Sequence, residues 1–352
     1  MNTKPLDAIA KAVLYEGYML YPYRPSSVKN RQRFNFGVLY PESYAEESGS
    51  ERCSMRTELL LEGDTQSTVE IKVRFLLLVD RSLRKLRGSA SPAQETSIFE
   101  EVSVLEVDGQ RFVPWQEAVE RVVAMPPCNP AALCSAPQVL PFAFPASEEV
   151  EPSHNTDGGV EGMIVRKRKS VCGTVEVVAE RAADRIYKLR VLVKNQTPFE
   201  ETGSQNARDS ALAHSLVSAH VLLGVTNGEF VSLLEPPANL SELAASCENI
   251  GAWPVLVGAE GERNTMLASP IILYDYPQIA PESPGDLFDG TEIDEILALR
   301  ILTMTDAEKS EMRSSDERAR RILERTENLP IEQLMKLHGI LREVRPLKGE
   351  MP

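Results

Sequence analysis

The sequence predicts an α+β fold, with two antiparallel β-rich lobes and a helical C-terminal tail. Three observations point there. Val69, Ile71, Val73 and Phe75 alternate with Glu70, Lys72 and Arg74, the period of two of a half-buried strand. A like alternation returns at Tyr187, Leu189, Val191 and Val193, beyond a proline-rich stretch. From about residue 290 the spacing of apolar residues becomes helical.

Taken in order, Leu6, Ile9, Ala10, Val13 and Leu14 predict a short N-terminal helix, ended by the prolines at 22 and 25. Residues 31–40 read as a strand, followed by the strong strand over 69–79 and another over 100–107 that stops at Asp108-Gly109. Trp115, Val119, Val122 and Val123 share one side of a predicted helix over 115–125. Seven prolines between Pro126 and Pro152, with Asp157-Gly158-Gly159, read as a linker or long loop. Strands resume at 173–180 and 186–194. Asn227-Gly228 between two apolar runs predicts a hairpin tip, because both central residues of such a turn need positive φ. A short strand over 255–257 closes this lobe.

Beyond it, Thr305 and Glu308 have the spacing of a capping box, and Pro330 stands where a last helix would begin. The predicted division is therefore an N-terminal β-rich lobe (1–125), a proline-rich connection (126–160), a second antiparallel lobe (161–269), and an extended arm with C-terminal helices (270–352).

Composition restricts function. A formal net charge of −14 repels phosphate backbones and argues against nucleic acid as a partner. Two basic runs, Arg81 to Arg87 and Arg166 to Lys169, oppose that trend and read as solvated edges or turns rather than anion sites. No apolar run approaches the ~18–20 residues of a membrane span. Residues 1–7 lack an apolar signal-peptide core, and five scattered cysteines do not form a disulfide framework, so a cytoplasmic protein is expected.

The chemistry-bearing residues form no familiar constellation. No phosphate loop, dinucleotide glycine signature, zinc-protease motif or nucleophile elbow is present. Cys128 and Cys134 lack the second ligand pair that a zinc site needs, and His214 and His220 read as structural. No metal and no cofactor are expected. The segment 270–290 stands apart: four prolines interleave with Tyr274, Tyr276, Leu287 and Phe288, and Asp275, Glu282, Asp286 and Asp289 add charge. Aromatic anchors on a stiff arm with a charged rim suit a docking surface. The expected partner-binding residues are Tyr274, Asp275, Tyr276, Glu282, Asp286 and Phe288. Packing of the arm on its own sheet is the competing reading.

The run from Ser269 to Arg300, which includes Tyr274-Asp275-Tyr276-Pro277 and Pro284-Gly285-Asp286-Leu287-Phe288, resembles a family of bacterial proteins associated with nickel-iron hydrogenase gene clusters. Leu14 to Pro25 with Lys29, Asn30 and Arg31 resembles the same family near its start. The resemblance implies a cellular setting and carries no catalytic residues onto this chain.

Residues and resemblance together lead to the expectation of a non-catalytic accessory or assembly protein that binds another protein, such as a hydrogenase subunit or maturation factor. Two alternatives stay open. One is a metal-assisted hydrolase using carboxylates of 275–295; the other is a β-sandwich ligand-binding module.

Overall fold

A computed structural model describes residues 36–87, 99–200, 207–278, 301–315 and 317–328, with positions 6, 7, 9, 10, 14, 34 and 330. Its spine is one long strand, β1 (Ser54–Leu86), of 33 residues. Drawn straight, such a strand would reach about 110 Å. It bends instead at a bulge, where Asp64 to Ser67 intervene between the pairs Gly63–Gly228 and Thr68–Thr226. Ser67 Oγ receives the Asp64 N–H at 2.7 Å, and Asn129 Nδ2 donates to the Thr65 and Ser67 carbonyls at 3.0 and 2.8 Å. These bonds satisfy backbone groups that the interrupted ladder leaves over.

Twelve more strands follow: β2 (Phe99–Val102), β3 (Leu105–Val107), β4 (Gln110–Phe112), β5 (Trp115–Ala124), β6 (Gln138–Phe144), β7 (Ser147–His154), β8 (Val160–Arg168), β9 (Val171–Ala183), β10 (Ile186–Asn195), β11 (Val217–Val231), β12 (Trp253–Leu256) and β13 (Thr265–Ser269). Along one edge of β1 lie β10, then β5, then β2; along the other lie β11, then β8. All described pairings are antiparallel, and only β3 and β4 form a separate ribbon.

The sheet curls. β6 is three ladders from β1 by way of β9 and β10, which in a flat sheet would separate them by about 14 Å. Yet the Phe75 ring centroid lies 5.8 Å from those of both Phe142 and Phe144. The enclosed side holds one apolar core, with Leu59, Leu61, Val69, Ile71 and Val73 of β1 against Val175, Val177, Val191, Val221 and Leu223. A one-turn helix, α2 (Pro130–Leu133), places Leu133 in that core, and Asn129 caps it by accepting from the Ala131 and Ala132 N–H groups. Before it comes α1 (Glu42–Ser48); after it come α3 (Ala207–Ala213) and α4 (Ser241–Ala245).

The last two described helices, α5 (Asp306–Ser315) and α6 (Glu317–Glu327), pack on the sheet. Met312, Ile322 and Leu323 join Leu76, Leu78 and Trp115 in a second core. The predicted capping box is present: Thr305 N–H donates to Glu308 Oε2 at 2.7 Å, and Glu308 N–H to Thr305 Oγ1 at 3.4 Å. The start of the helical spacing expected from about residue 290, and the helix expected after Pro330, lie outside the described residues. Leu6, Asp7, Ile9, Ala10 and Leu14 are helical, as the N-terminal spacing predicts.

The antiparallel, β-rich character thus holds, but strands on both sides of residues 126–160 enter one eleven-stranded sheet through β1. Four local expectations are corrected. Residues 115–124 are strand β5, opposite Lys72–Arg81; valines at 119, 122 and 123 favour a pleated surface, and their helical spacing is accidental. The predicted linker carries β6 and β7. Pro141 and Pro152 lie on strands that each pair with one described neighbour only, where a missing N–H is tolerated. Asn227 does take positive φ, at 57°, but it sits at the bend of the continuous β11 and tips no hairpin. Of the strand expected over 31–40, the described part makes a single bridge, Leu39 to Leu216.

Candidate functional site

The arm predicted from sequence begins beside an end strand of the sheet. Val257 N–H donates to Thr265 O at 3.1 Å, so antiparallel alternation turns Val255 and Trp253 toward β13 and Pro254 and Leu256 outward. The outward groups are then closed by the arm itself. Leu256 N–H donates to Asp275 Oδ1 at 2.7 Å, and Leu256 O accepts from Tyr276 N–H at 2.7 Å. Pro254 has no N–H to offer. This edge therefore cannot add a further strand along Leu256.

Each described arm residue has a distinct place. Leu273 is buried with Leu222, Val255, Leu267 and Ile9. Asp275 is a clamp: its second oxygen accepts from Ser232 Oγ at 2.5 Å, tying β12 to the end of β11. Tyr276 takes a φ of 56° and packs against the main core. Between these pins Tyr274 is 87% exposed, and Ile272, two residues before it, is 77% exposed. In an extended chain such residues share a side. Trp253, on β12, is also exposed. Glu282, Asp286 and Phe288 lie outside the described residues.

Thus one of the expected anchors, Tyr274, projects into solvent, while Tyr276 does not. Ile272 and Trp253 escaped the sequence reading. Ile272 stands in an apolar run, Ile271-Ile272-Leu273, that reads as uniformly buried, and only the return of the chain along β12 decides which member faces out.

Elsewhere, the two basic runs meet. β1 and β8 pair so that Arg81 lies directly opposite Arg166. Glu117 of β5 bonds both, at 3.0 Å to Arg81 Nη1 and 2.9 Å to Arg166 Nε, and Glu151 of β7 takes Arg166 Nη1 at 2.7 Å. Arg81, 7% exposed, further donates to Val113 O and, at 3.1 Å, to Ser314 O near the C-terminus of α5. A cation is favoured there by the helix dipole. Burial pushes the Arg81 guanidinium down from its ordinary range, and Glu117 opposes that.

His220, His214 and Cys128 are each engaged by the fold. His220 is fully buried; its Nδ1–H donates to Ser218 O at 2.6 Å, which leaves Nε2 as the unprotonated nitrogen. Burial pushes its pKa down to about 4. His214 Nδ1 lies 2.9 Å from Ser210 O, and its ring packs 5.5 Å from that of Phe199. Burial raises the Cys128 thiol to about 11, so it is held as the neutral form. Among the described residues no group of three or more His, Cys, Asp and Glu side chains could hold a metal ion, and no helix is long and apolar enough to cross a membrane.

In comparison with known proteins, no family profile matches the chain, and no curated protein matches it.

Proposed function

We propose that this chain is a non-catalytic accessory protein that docks another protein at the sheet edge bearing Trp253, Ile272 and Tyr274. The observation that carries this reading is the pinning of Tyr274. Its neighbours on either side are held by burial of Leu273 and by the Asp275 clamp, so a large amphipathic side chain stands in water on ordered backbone. Ordering cost is then already met before association, which is where binding free energy is usually lost. Tyrosine and tryptophan are the side chains that most often dominate interfaces.

In this reading the partner meets side chains rather than backbone, because Asp275 and Tyr276 fill the outward hydrogen-bonding groups of Leu256. The metal-assisted hydrolase reading is weakened at Asp275, whose two oxygens are both engaged by the fold. The resemblance of residues 269–300 makes a nickel-iron hydrogenase subunit or maturation factor the first partner to try, in the cytoplasm, where the five free cysteines would stay reduced.

The test is affinity purification from the native host with wild-type protein and with the Ile272→Ser, Tyr274→Ser double variant. The reading expects a stoichiometric partner with the wild type and its loss with the variant at unchanged thermal stability. Equal recovery of the same partner with both proteins contradicts it.

A further inference from the structure

Arg166 and Lys167 on β8 are neutralised by Glu117, Glu151 and Glu148. The next residue, Arg168, is different, and so is Arg121 on β5. Among the described residues neither has a carboxylate within ion-pair distance, in a chain with 52 acidic and 38 basic side chains.

Both stand beside the step from β6 to β7. The Arg121 guanidinium carbon lies 5.8 Å from the centroid of the Phe144 ring, and Arg168 Nη2 donates to the carbonyl of the following residue, Pro145, at 2.9 Å. Arg121 Nη1 donates to Glu120 O at 2.9 Å. Each guanidinium is therefore oriented by one backbone carbonyl and keeps other N–H groups unused. One of them, Arg168 Nε–H, is buried without a partner, an arrangement that costs free energy unless a ligand or solvent accepts from it. Burial and the charge of Arg121 both push the Arg168 pKa down, with Glu149 opposing.

We propose that Arg121 and Arg168, set around Phe144 and Pro145, form a binding site for a small oxyanion, a phosphate or carboxylate group. Two guanidinium forks are the geometry that planar or tetrahedral oxyanions match with paired hydrogen bonds. The anion would relieve the like-charge pair and give Arg168 Nε–H its acceptor. Phe144 supplies a wall that keeps the Arg121 fork in plane.

The experiment uses the full chain. Inorganic phosphate and, separately, glutarate are titrated by isothermal calorimetry at constant ionic strength held with sodium chloride. Wild type should bind at least one of them saturably, and the tighter of the two identifies the source of the oxyanion. Arg121→Gln and Arg168→Gln should each weaken binding at least tenfold. Arg121→Lys and Arg168→Lys keep the charge and lose the fork; they fold if charge suffices for folding, and should still weaken binding several-fold. Saturable binding of neither anion by wild type overturns the site, as does undiminished binding by the Arg168→Lys variant.

Discussion

Arg81 and Arg166 are direct cross-strand neighbours, and one carboxylate, Glu117, bonds both of them. Like charges so placed repel. Glu117 turns the repulsion into a bridge between β1, β5 and β8, and Arg81 extends it to α5 through Ser314 O. Glu117→Ala should lower stability by about 2–4 kcal/mol, since it removes the carboxylate that bonds both a nearly buried guanidinium and its cross-strand neighbour. Urea unfolding of the variant checks this, and a change under about 0.5 kcal/mol would show that the network is incidental.

His220 gives stability a pH dependence. The unfolded histidine binds its proton near pH 6.5, whereas the folded one does so only near about 4. Between those values the unfolded chain holds more protons, so stability falls as pH falls. The full effect of such a shift is about 3 kcal/mol. His220→Gln should remove this slope between pH 6.5 and 4, as read from chemical denaturation at a series of pH values.

Glu58 acts in a neighbouring, more acidic window. Hydrogen bonds from the Glu248 N–H and Lys188 hold its carboxyl below the ordinary range, against the opposing effect of burial. Its contribution is present above the unfolded pKa of about 4.3 and is lost as pH falls through the lower folded value. Glu58→Gln should be destabilised at pH 7 and should converge on wild type in strong acid.

Gly173 is required by close approach. A Cβ there would lie 2.2 Å from Lys194 O and 2.7 Å from the Phe142 ring, so the β9–β10 ladder or the β6 strand must shift. Gly173→Ala should cost about 2–3 kcal/mol, measured by the midpoint of thermal or urea unfolding.

Much of this architecture was legible where the pattern was local. The alternation over 69–79, the strand over 186–194 and the Thr305–Glu308 box could all be read from neighbouring residues. β1 as a whole could not. In its first half Leu59 and Leu61 face the main core while Leu60 is buried with Leu240 and Ala244, so no alternation shows. The pairing of β1 with strands more than a hundred residues away depends on the curl of the sheet, which no short window encodes. Prolines misled because Pro141 and Pro152 mark lightly paired strands rather than a linker. The arm was legible as unusual, but its division into Tyr274 outward and Tyr276 inward follows from two bonds to Leu256.

That division makes a paired prediction. Tyr276→Ala should destabilise the protein by roughly 2–4 kcal/mol through lost core packing. Tyr274→Ala should leave stability within about 0.5 kcal/mol. Parallel thermal melts of the two variants check it.

The proposed docking edge is tested most directly by placing a photo-crosslinking phenylalanine analogue at position 274 in the native host. After irradiation and mass spectrometry, one specific adduct with another protein should form, and the same analogue at Val139, an exposed site on β6, should not form it. An identical adduct from both positions, or none from position 274, would contradict docking at this edge.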